Sequence, residues 1–94
     1  MDGIDNRKLR RNRIFTEEQI IFNSGSSVID CLVRDRSEGG AKLQLPAATV
    51  VPKTFDLLIV NEGKLFPAEI MWRRGDDVGV SFVGAPTPAP VSKR

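Results

Sequence analysis

Basic side chains are concentrated near the N-terminus. Five positive charges fall within seven residues: Arg7, Lys8, Arg10, Arg11 and Arg13. Nine basic and twelve acidic residues remain elsewhere, a net charge of −3. Because a guanidinium presents a planar fork of donors, it can grip a phosphate through two hydrogen bonds. The segment therefore indicates either an anionic partner (nucleic acid, a phosphorylated ligand or acidic lipid) or a solvated tail.

Two short motifs each occur once in the chain. The first is R-x-x-x-R, formed by Arg7 and Arg11, which alone indicates little because the chain is rich in arginine. The second is D-x-S-x-x-G, formed by Asp35, Ser37 and Gly40. Taken alone, the second motif is typical of a hairpin turn. In such a turn Asp and Ser bond their own backbone, and one of the two adjacent glycines supplies a positive φ.

The composition excludes several classes of site. The chain has no His, so it cannot form a Ser-His-Asp triad or an imidazole metal site. Its one cysteine, Cys31, excludes an internal disulfide and a zinc knuckle. No apolar run approaches the roughly 18 residues of a membrane span, and the N-terminus lacks the apolar stretch of a signal peptide. We therefore expect a cytoplasmic protein with neither metal nor cofactor.

The elements that position the motifs follow an apolar period of two, interrupted by clusters of turn residues. The expected strands are 20–22, 28–33, 41–45, 55–59, 64–73 and 78–82. Pro46 and Pro52 bracket a connector too short for a long helix. About six strands in an open sheet would leave two unpaired edges. The sequence thus predicts an all-β fold, with a small closed antiparallel barrel favoured over a sandwich.

The chain divides into three parts on this pattern. We expect a flexible basic N-terminal arm over residues 1–13, a barrel over 14–83, and a proline-rich tail without fixed structure over 84–94. Trp72 continues the face formed by Ala68 and Ile70, so it is predicted to be a core residue. Cys31 is likewise predicted to be a small core residue rather than a redox sensor.

The order and placement of the two motifs resemble the PilZ family of bacterial cyclic di-GMP receptor domains. R-x-x-x-R precedes the first strand, and D-x-S-x-x-G closes the second. The stretches 66–74 and 78–82 are also similar to the closing strands of the family, so the resemblance covers roughly residues 7–83. It implies a six-stranded PilZ-type β-barrel, with the basic arm folding over a ligand held on the barrel surface.

The resemblance implies a cyclic di-GMP site formed by Arg7, Arg11, Asp35, Ser37 and Gly40. An arginine fork can hold a phosphate, take guanine O6 and N7, or stack on the base. An ionised Asp35 can accept guanine N1–H and N2–H, and Ser37 can donate to the ligand or lock the turn. Gly40 lets backbone approach closely.

Three neighbouring positions add to this expectation. Arg10 and Arg36 are further candidate ligand contacts, although Arg36 is equally compatible with a solvated side chain. Many family members carry an additional arginine directly before R-x-x-x-R, which favours a stacked ligand dimer. Here that position is Asn6, which favours one ligand molecule per domain.

The predicted function is a non-enzymatic receptor whose ligand orders the arm and so changes a surface that binds a downstream effector protein. One alternative is a small barrel that binds RNA or single-stranded DNA, but Phe15, Phe22 and Phe66 are the only candidate stacking residues. Another is a PilZ adaptor that binds no nucleotide, against which the five intact motif positions argue. No paired acid and base indicates an enzyme. We expect neither nucleic-acid binding nor membrane insertion.

Overall fold

The computed structural model describes residues 16–89. Within this range no helix is long and apolar enough to cross a membrane, and there is no α-helix at all. One turn of 3-10 helix, Val60–Glu62, joins the fourth and fifth strands. The strands are β1 Thr16–Phe22, β2 Ser27–Arg36, β3 Gly40–Gln44, β4 Thr54–Ile59, β5 Lys64–Arg74, β6 Asp77–Phe82 and β7 Thr87–Pro88.

Six of these strands close into an antiparallel barrel. Going round the wall the order is β1, β2, β3, β6, β5, β4 and back to β1, with every neighbouring pair antiparallel. Because the barrel is closed, each of the six strands pairs with a neighbour on both sides over at least part of its length. Small β proteins avoid edge-to-edge association in this way. The predicted six-stranded barrel is confirmed.

The barrel interior is filled by the apolar half of each alternating strand. Successive side chains of a strand point to opposite faces, so one residue in two enters the core. Cys31 lies in this core with 5% of its surface exposed, as predicted. The most completely buried large side chains are Ile20, Val33, Leu43, Leu57 and Val78.

The connector between β3 and β4 is held at its start by one arginine. The Arg73 guanidinium donates to the carbonyl oxygens of Pro46 at 2.9 Å, Ala47 at 3.2 Å and Thr49 at 2.8 Å. A carboxylate oxygen of Asp76 accepts from the Ala47 amide at 2.9 Å. Backbone groups that no strand can pair are satisfied in this way by side chains from the β5–β6 hairpin.

Trp72 is not a core residue, contrary to the sequence prediction, and its side chain is 45% exposed. The register explains the difference. Ile70 pairs with Val80, but Trp72 pairs with Gly79, so β5 carries one extra residue between them. A bulge of this kind transfers the following side chains to the opposite face of the sheet. Trp72 therefore lies on the outside of the barrel.

The C-terminal stretch also differs from the prediction of no fixed structure after residue 83. Thr87 and Pro88 form β7, which pairs with Leu65 and Lys64 at the start of β5. The Ala89 amide donates to the Gly63 carbonyl at 2.8 Å, extending the contact by one residue. Backbone hydrogen bonds, rather than buried apolar side chains, hold this segment. Residues 90–94 lie outside the described range.

Candidate ligand-binding site

The D-x-S-x-x-G motif forms the hairpin between β2 and β3. The Ser37 amide donates to the Gly40 carbonyl at 2.9 Å, and the Phe82 amide donates to the Gly39 carbonyl at 2.9 Å, which ties the hairpin to β6. The Ser37 hydroxyl is 3.5 Å from the Gly40 carbonyl, at the limit of a hydrogen bond, and the residue is exposed. The backbone therefore holds this turn, and the hydroxyl remains available to another partner.

A bulge sets the direction of Asp35. Val33 pairs with Leu43 and Asp35 pairs with Lys42, so Arg34 is the extra residue of β2. Leu43 is buried in the core, so Lys42, the next residue along β3 towards the hairpin, lies on the outer face, and Asp35 lies opposite it.

One carboxylate oxygen of Asp35 is buried without a partner. Oδ1 has lost its contact with solvent, and it accepts no hydrogen bond from any residue of the described range. Buried acceptors in folded proteins are nearly always paired, because an unpaired one costs about 1–3 kcal/mol. The atom is therefore an unsatisfied acceptor in this part of the fold.

Asp35 belongs to a row of residues that crosses four strands on the outer face. Asp35 pairs with Lys42, Lys42 with Gly79, and Gly79 with Trp72. The row spans three inter-strand spacings, roughly 14 Å. The indole covers Gly79 so closely that a Cβ there would lie 2.1 Å from the Trp72 Nε1. The row thus joins an acceptor, a cation and an aromatic surface.

Gly40 has a structural reason to lack a side chain. A Cβ at this position would lie 2.2 Å from the Val80 carbonyl oxygen, across the pairing of Gly40 with Ser81. The hairpin turn expected from the motif is present, but neither Gly39 nor Gly40 has a positive φ, so that detail of the prediction is wrong. The close approach seen is between β3 and β6, while a contact of Gly40 with ligand stays a prediction.

Arg36 lies on the other side of the barrel wall from Asp35. It pairs with Ala41, which packs against the core, and its guanidinium stands 4.8 Å from the centre of the Phe66 ring. Both terminal nitrogens donate to Glu62: Nη2 to Oε1 at 3.0 Å, and Nη1 to Oε2. This hydrogen bonding raises the pKa of Arg36 and lowers the pKa of Glu62. Arg36 is therefore not a solvated side chain.

The comparison with protein families agrees with this geometry. A family model described as the PilZ domain matches residues 5–90, nearly the whole chain. The chain belongs to the PilZ domain family. PilZ domains are non-enzymatic receptor domains for cyclic di-GMP, and the match includes both motifs. A search of curated proteins finds no match.

Only part of the predicted site of this PilZ domain can be placed. Asp35, Ser37 and Gly40 come together at one hairpin. Arg7, Arg10 and Arg11 lie outside the described residues, so their positions relative to the hairpin stay predictions. A ligand contact by Arg36 also stays a prediction. The ligand would have to displace Glu62 from the Arg36 guanidinium or share the guanidinium with it.

The inward face of β1 in this PilZ barrel carries a buried acid that sequence reasoning missed. Glu18 is 3% exposed, and its Oε1 accepts from the Val60 amide at 2.7 Å, satisfying the start of the 3-10 turn. Burial, followed by the nearby charges of Glu18 and Asp30, raises the pKa of the Cys31 thiol to about 12. The signal was present in the alternation, since Glu18 shares the inward face of β1 with Ile20.

The sequence analysis also did not place Lys42 and Trp72 beside Asp35. The alternation of β3 correctly predicted that Lys42 lies on the solvent-facing side of the strand. It did not indicate that Asp35 and Gly79 are its cross-strand neighbours. For Trp72, the glycine opposite it gave a signal, because aromatic side chains often cover a glycine on a neighbouring strand. Using that signal requires the register, which the β5 bulge changes.

Proposed function

We propose that this PilZ domain is a cyclic di-GMP receptor without enzymatic activity, acting without metal or cofactor. The observation that carries the proposal is the buried, unpartnered Oδ1 of Asp35 on the outer face. It belongs to the carboxylate of the D-x-S-x-x-G motif, which is a pure acceptor when ionised. A guanine base offers N1–H and N2–H side by side, the donor pair that a carboxylate binds.

The surroundings of Asp35 support a nucleotide with two bases and two phosphates. The Ser37 hydroxyl is exposed beside it, and Lys42 supplies a positive charge in the same cross-strand row. At the end of that row the exposed Trp72 offers a flat surface on which a base can stack. Acceptor, cation and ring lie on one face.

The basic arm completes the proposed site. Arg7 and Arg11, with Arg10 as a further contact, would grip the phosphates through their forked guanidinium groups. Binding a dianion neutralises part of a self-repelling cluster and ties it to the barrel, so the ligand orders the arm. The changed surface would be read by a downstream effector protein. The expected setting is the bacterial cytoplasm.

A calorimetric titration with cyclic di-GMP tests the proposal, with GTP and cyclic di-AMP as control ligands. Arg7→Ala and Arg11→Ala should each weaken binding by about 1.5–3 kcal/mol, the scale of a charge-assisted hydrogen bond. Arg94→Ala removes the same charge at the opposite terminus and should leave binding unchanged. Absence of cyclic di-GMP binding, or equal losses in all three variants, would contradict the proposal.

Trp72 keeps a second candidate function open, that of an RNA or single-stranded DNA binder. Its exposed ring has the Arg74 guanidinium 5.9 Å from the ring centre, an arrangement that single-strand binders use for stacking. The salt dependence separates the two functions, because a contact with many phosphates gives a much steeper slope than a ligand with two. Tight oligonucleotide binding without a cyclic di-GMP response would favour this second function.

A further inference from the structure

An open groove adjoins the proposed ligand site on the outer face of the barrel. Its volume is about 560 Å³, and its floor is apolar, formed by Leu32, Leu45 and the connector residues 46–48. Carboxylates stand on its rim, from Glu17 on β1, Asp30 on β2 and Asp76 in the β5–β6 turn.

The groove and the proposed ligand site share two strands. Leu32 pairs with Gln44, and Asp35 pairs with Lys42, so the two rows are consecutive outward positions of β2 and β3. They lie roughly 7–10 Å apart along the strands. A chain segment lying in the groove can therefore move to the ligand site without a large displacement.

The basic N-terminal segment fits this groove in charge and in reach. The described residues begin at Thr16, directly before the rim residue Glu17. Residues 7–13, which carry five positive charges, end three residues before that point. An extended chain covers at most about 3.5 Å per residue, so Arg13 reaches the rim within roughly 10 Å and Arg11 within roughly 17 Å.

We propose that residues 7–13 of the same chain occupy this groove in the absence of ligand. The effect of this docking on cyclic di-GMP binding rests on the proposed function. Arg11 and Arg13 would pair with Glu17 and Asp30, both of which are exposed. Asp76 is already fixed by the Ala47 amide and contributes charge rather than a new bond. The arginines needed for the phosphates are then held by carboxylates, and cyclic di-GMP must compete for them.

The docking is weak by its chemistry, which suits a displaceable segment. Exposed ion pairs are individually weak and are screened by salt. The strand pairing in the barrel wall uses the backbone groups beneath the groove, so the segment is held by its side chains. When only a fraction of the protein is in the binding-competent state, the apparent affinity for the ligand is reduced by that fraction. Neutralising the rim should therefore tighten cyclic di-GMP binding by about threefold at low salt.

Paramagnetic relaxation in the ligand-free full chain tests the docking directly. A spin label on Asn6→Cys is selective, because Cys31 is buried and its raised pKa keeps it protonated and unreactive. The label should broaden the amides of Leu32, Gln44 and Ala47 at low salt. The broadening should disappear in the Glu17→Gln/Asp30→Asn variant, whereas a label on Ser92→Cys should not broaden these amides.

Other occupants give different results in the same measurement. Mixing spin-labelled protein with isotope-labelled protein lacking the spin label detects contacts between two copies. Broadening in that mixture would overturn the proposal in favour of a second copy in the groove. Broadening spread evenly over the barrel, or unchanged after rim neutralisation, would also overturn it. Because no ligand is present, these results do not depend on whether the protein binds cyclic di-GMP.

The competition has a matched control of its own. Asp56→Asn/Glu69→Gln removes two charges of the same sign outside the groove and outside the D-x-S-x-x-G hairpin. If the rim variant tightens cyclic di-GMP binding about threefold and the control variant does not, the groove holds the competing segment. Equal tightening in both would reduce the effect to long-range charge and contradict the proposal.

Discussion

Asp35 and Arg36 are neighbours in the sequence but lie on opposite sides of the barrel wall, with opposite hydrogen-bonding states. On the outer side, Asp35 keeps a buried carboxylate oxygen without a partner in the described chain. On the inner side, Arg36 donates twice to Glu62 and lies over the Phe66 ring. Two adjacent charged residues of one motif therefore differ in whether the fold satisfies them.

The proposed function assigns Asp35 to ligand binding and Arg36 to the scaffold, and their hydrogen bonding differs in the same sense. A structural polar group is satisfied within the fold, as Arg36 is by Glu62 and as Glu18 is by the Val60 amide. A group kept for a ligand carries a desolvation cost in the free protein that the ligand relieves. Glu18 and Asp35 both have buried carboxylate oxygens, so the difference between them is the hydrogen-bond partner and not the burial.

The largest expected effect comes from the glycine of the motif. Gly40→Ala places a Cβ 2.2 Å from the Val80 carbonyl, and neither backbone can move without breaking the β3–β6 pairing. We expect the free energy of unfolding to fall by about 3 kcal/mol, the upper range for overpacking. Urea unfolding measures it, and Gly39→Ala is the matched control because a Cβ there meets nothing within 4 Å. Equal losses in both variants would show that the hairpin, not the strand contact, requires glycine.

Removing the Asp35 and Arg36 side chains one at a time gives the next largest effect. Asp35→Ala should weaken cyclic di-GMP binding by about 1.5–3 kcal/mol, while the unfolding free energy stays unchanged or rises as an unpaired buried acceptor is removed. Arg36→Ala should lower the unfolding free energy by about 1 kcal/mol, since an ion pair and a cation–π contact are lost. Its effect on binding should be small.

Titration and urea unfolding of both variants decide this comparison. A loss of binding in Arg36→Ala as large as that in Asp35→Ala would place Arg36 among the ligand contacts. A stability loss in Asp35→Ala would show that its carboxylate has a partner within the protein.

Most of the fold could be predicted from the sequence because it follows local rules. Alternating apolar residues and turn clusters determine where strands begin and end, and closure follows from the need to pair edges. The bulges were not predictable. One extra residue in β5 moved Trp72 from the expected core to the outer face, and one in β2 set the direction of Asp35.

The site was predictable in its motif but not in its partners. The spacing of Asp35, Ser37 and Gly40 indicated a hairpin, and the structure brings the three together. Glu62 is 26 residues from Arg36, and only the closure of the barrel brings the two together. Long-range pairing of this kind depends on register, which the bulges of β2 and β5 change.

Alkaline pH probes the inner side of β2 through Cys31. The folded pKa of its thiol is raised from 9.0 to about 12, so the stability that comes from burying the neutral thiol is complete below pH 9 and is lost as pH rises. At about pH 10 the loss should be roughly 1.4 kcal/mol, because the unfolded thiol ionises and the folded one does not. Cys31→Ala should be less stable at neutral pH but should lack this part of the alkaline decline. An identical decline in both proteins would contradict the burial of the thiol.

Acid pH probes the ion pair at the barrel end, with the smallest expected effect. Hydrogen bonding to Arg36 lowers the pKa of Glu62 from 4.5, so the pair contributes stability above pH 4.5 that is lost as pH falls through the lower folded value. The raised pKa of Arg36 adds nothing in this range, because a guanidinium stays protonated throughout. Since the Glu62 side chain is 40% exposed, solvent screening should keep the effect below about 1 kcal/mol. Glu62→Gln should flatten the stability profile below pH 4.5, whereas Glu69→Gln, whose carboxylate lies 3.7 Å from the exposed Lys53, should change it less. If both variants flatten the profile equally, the forked contact of Arg36 with Glu62 contributes no more stability than an ordinary surface ion pair. That result would contradict the assignment of Arg36 to the scaffold.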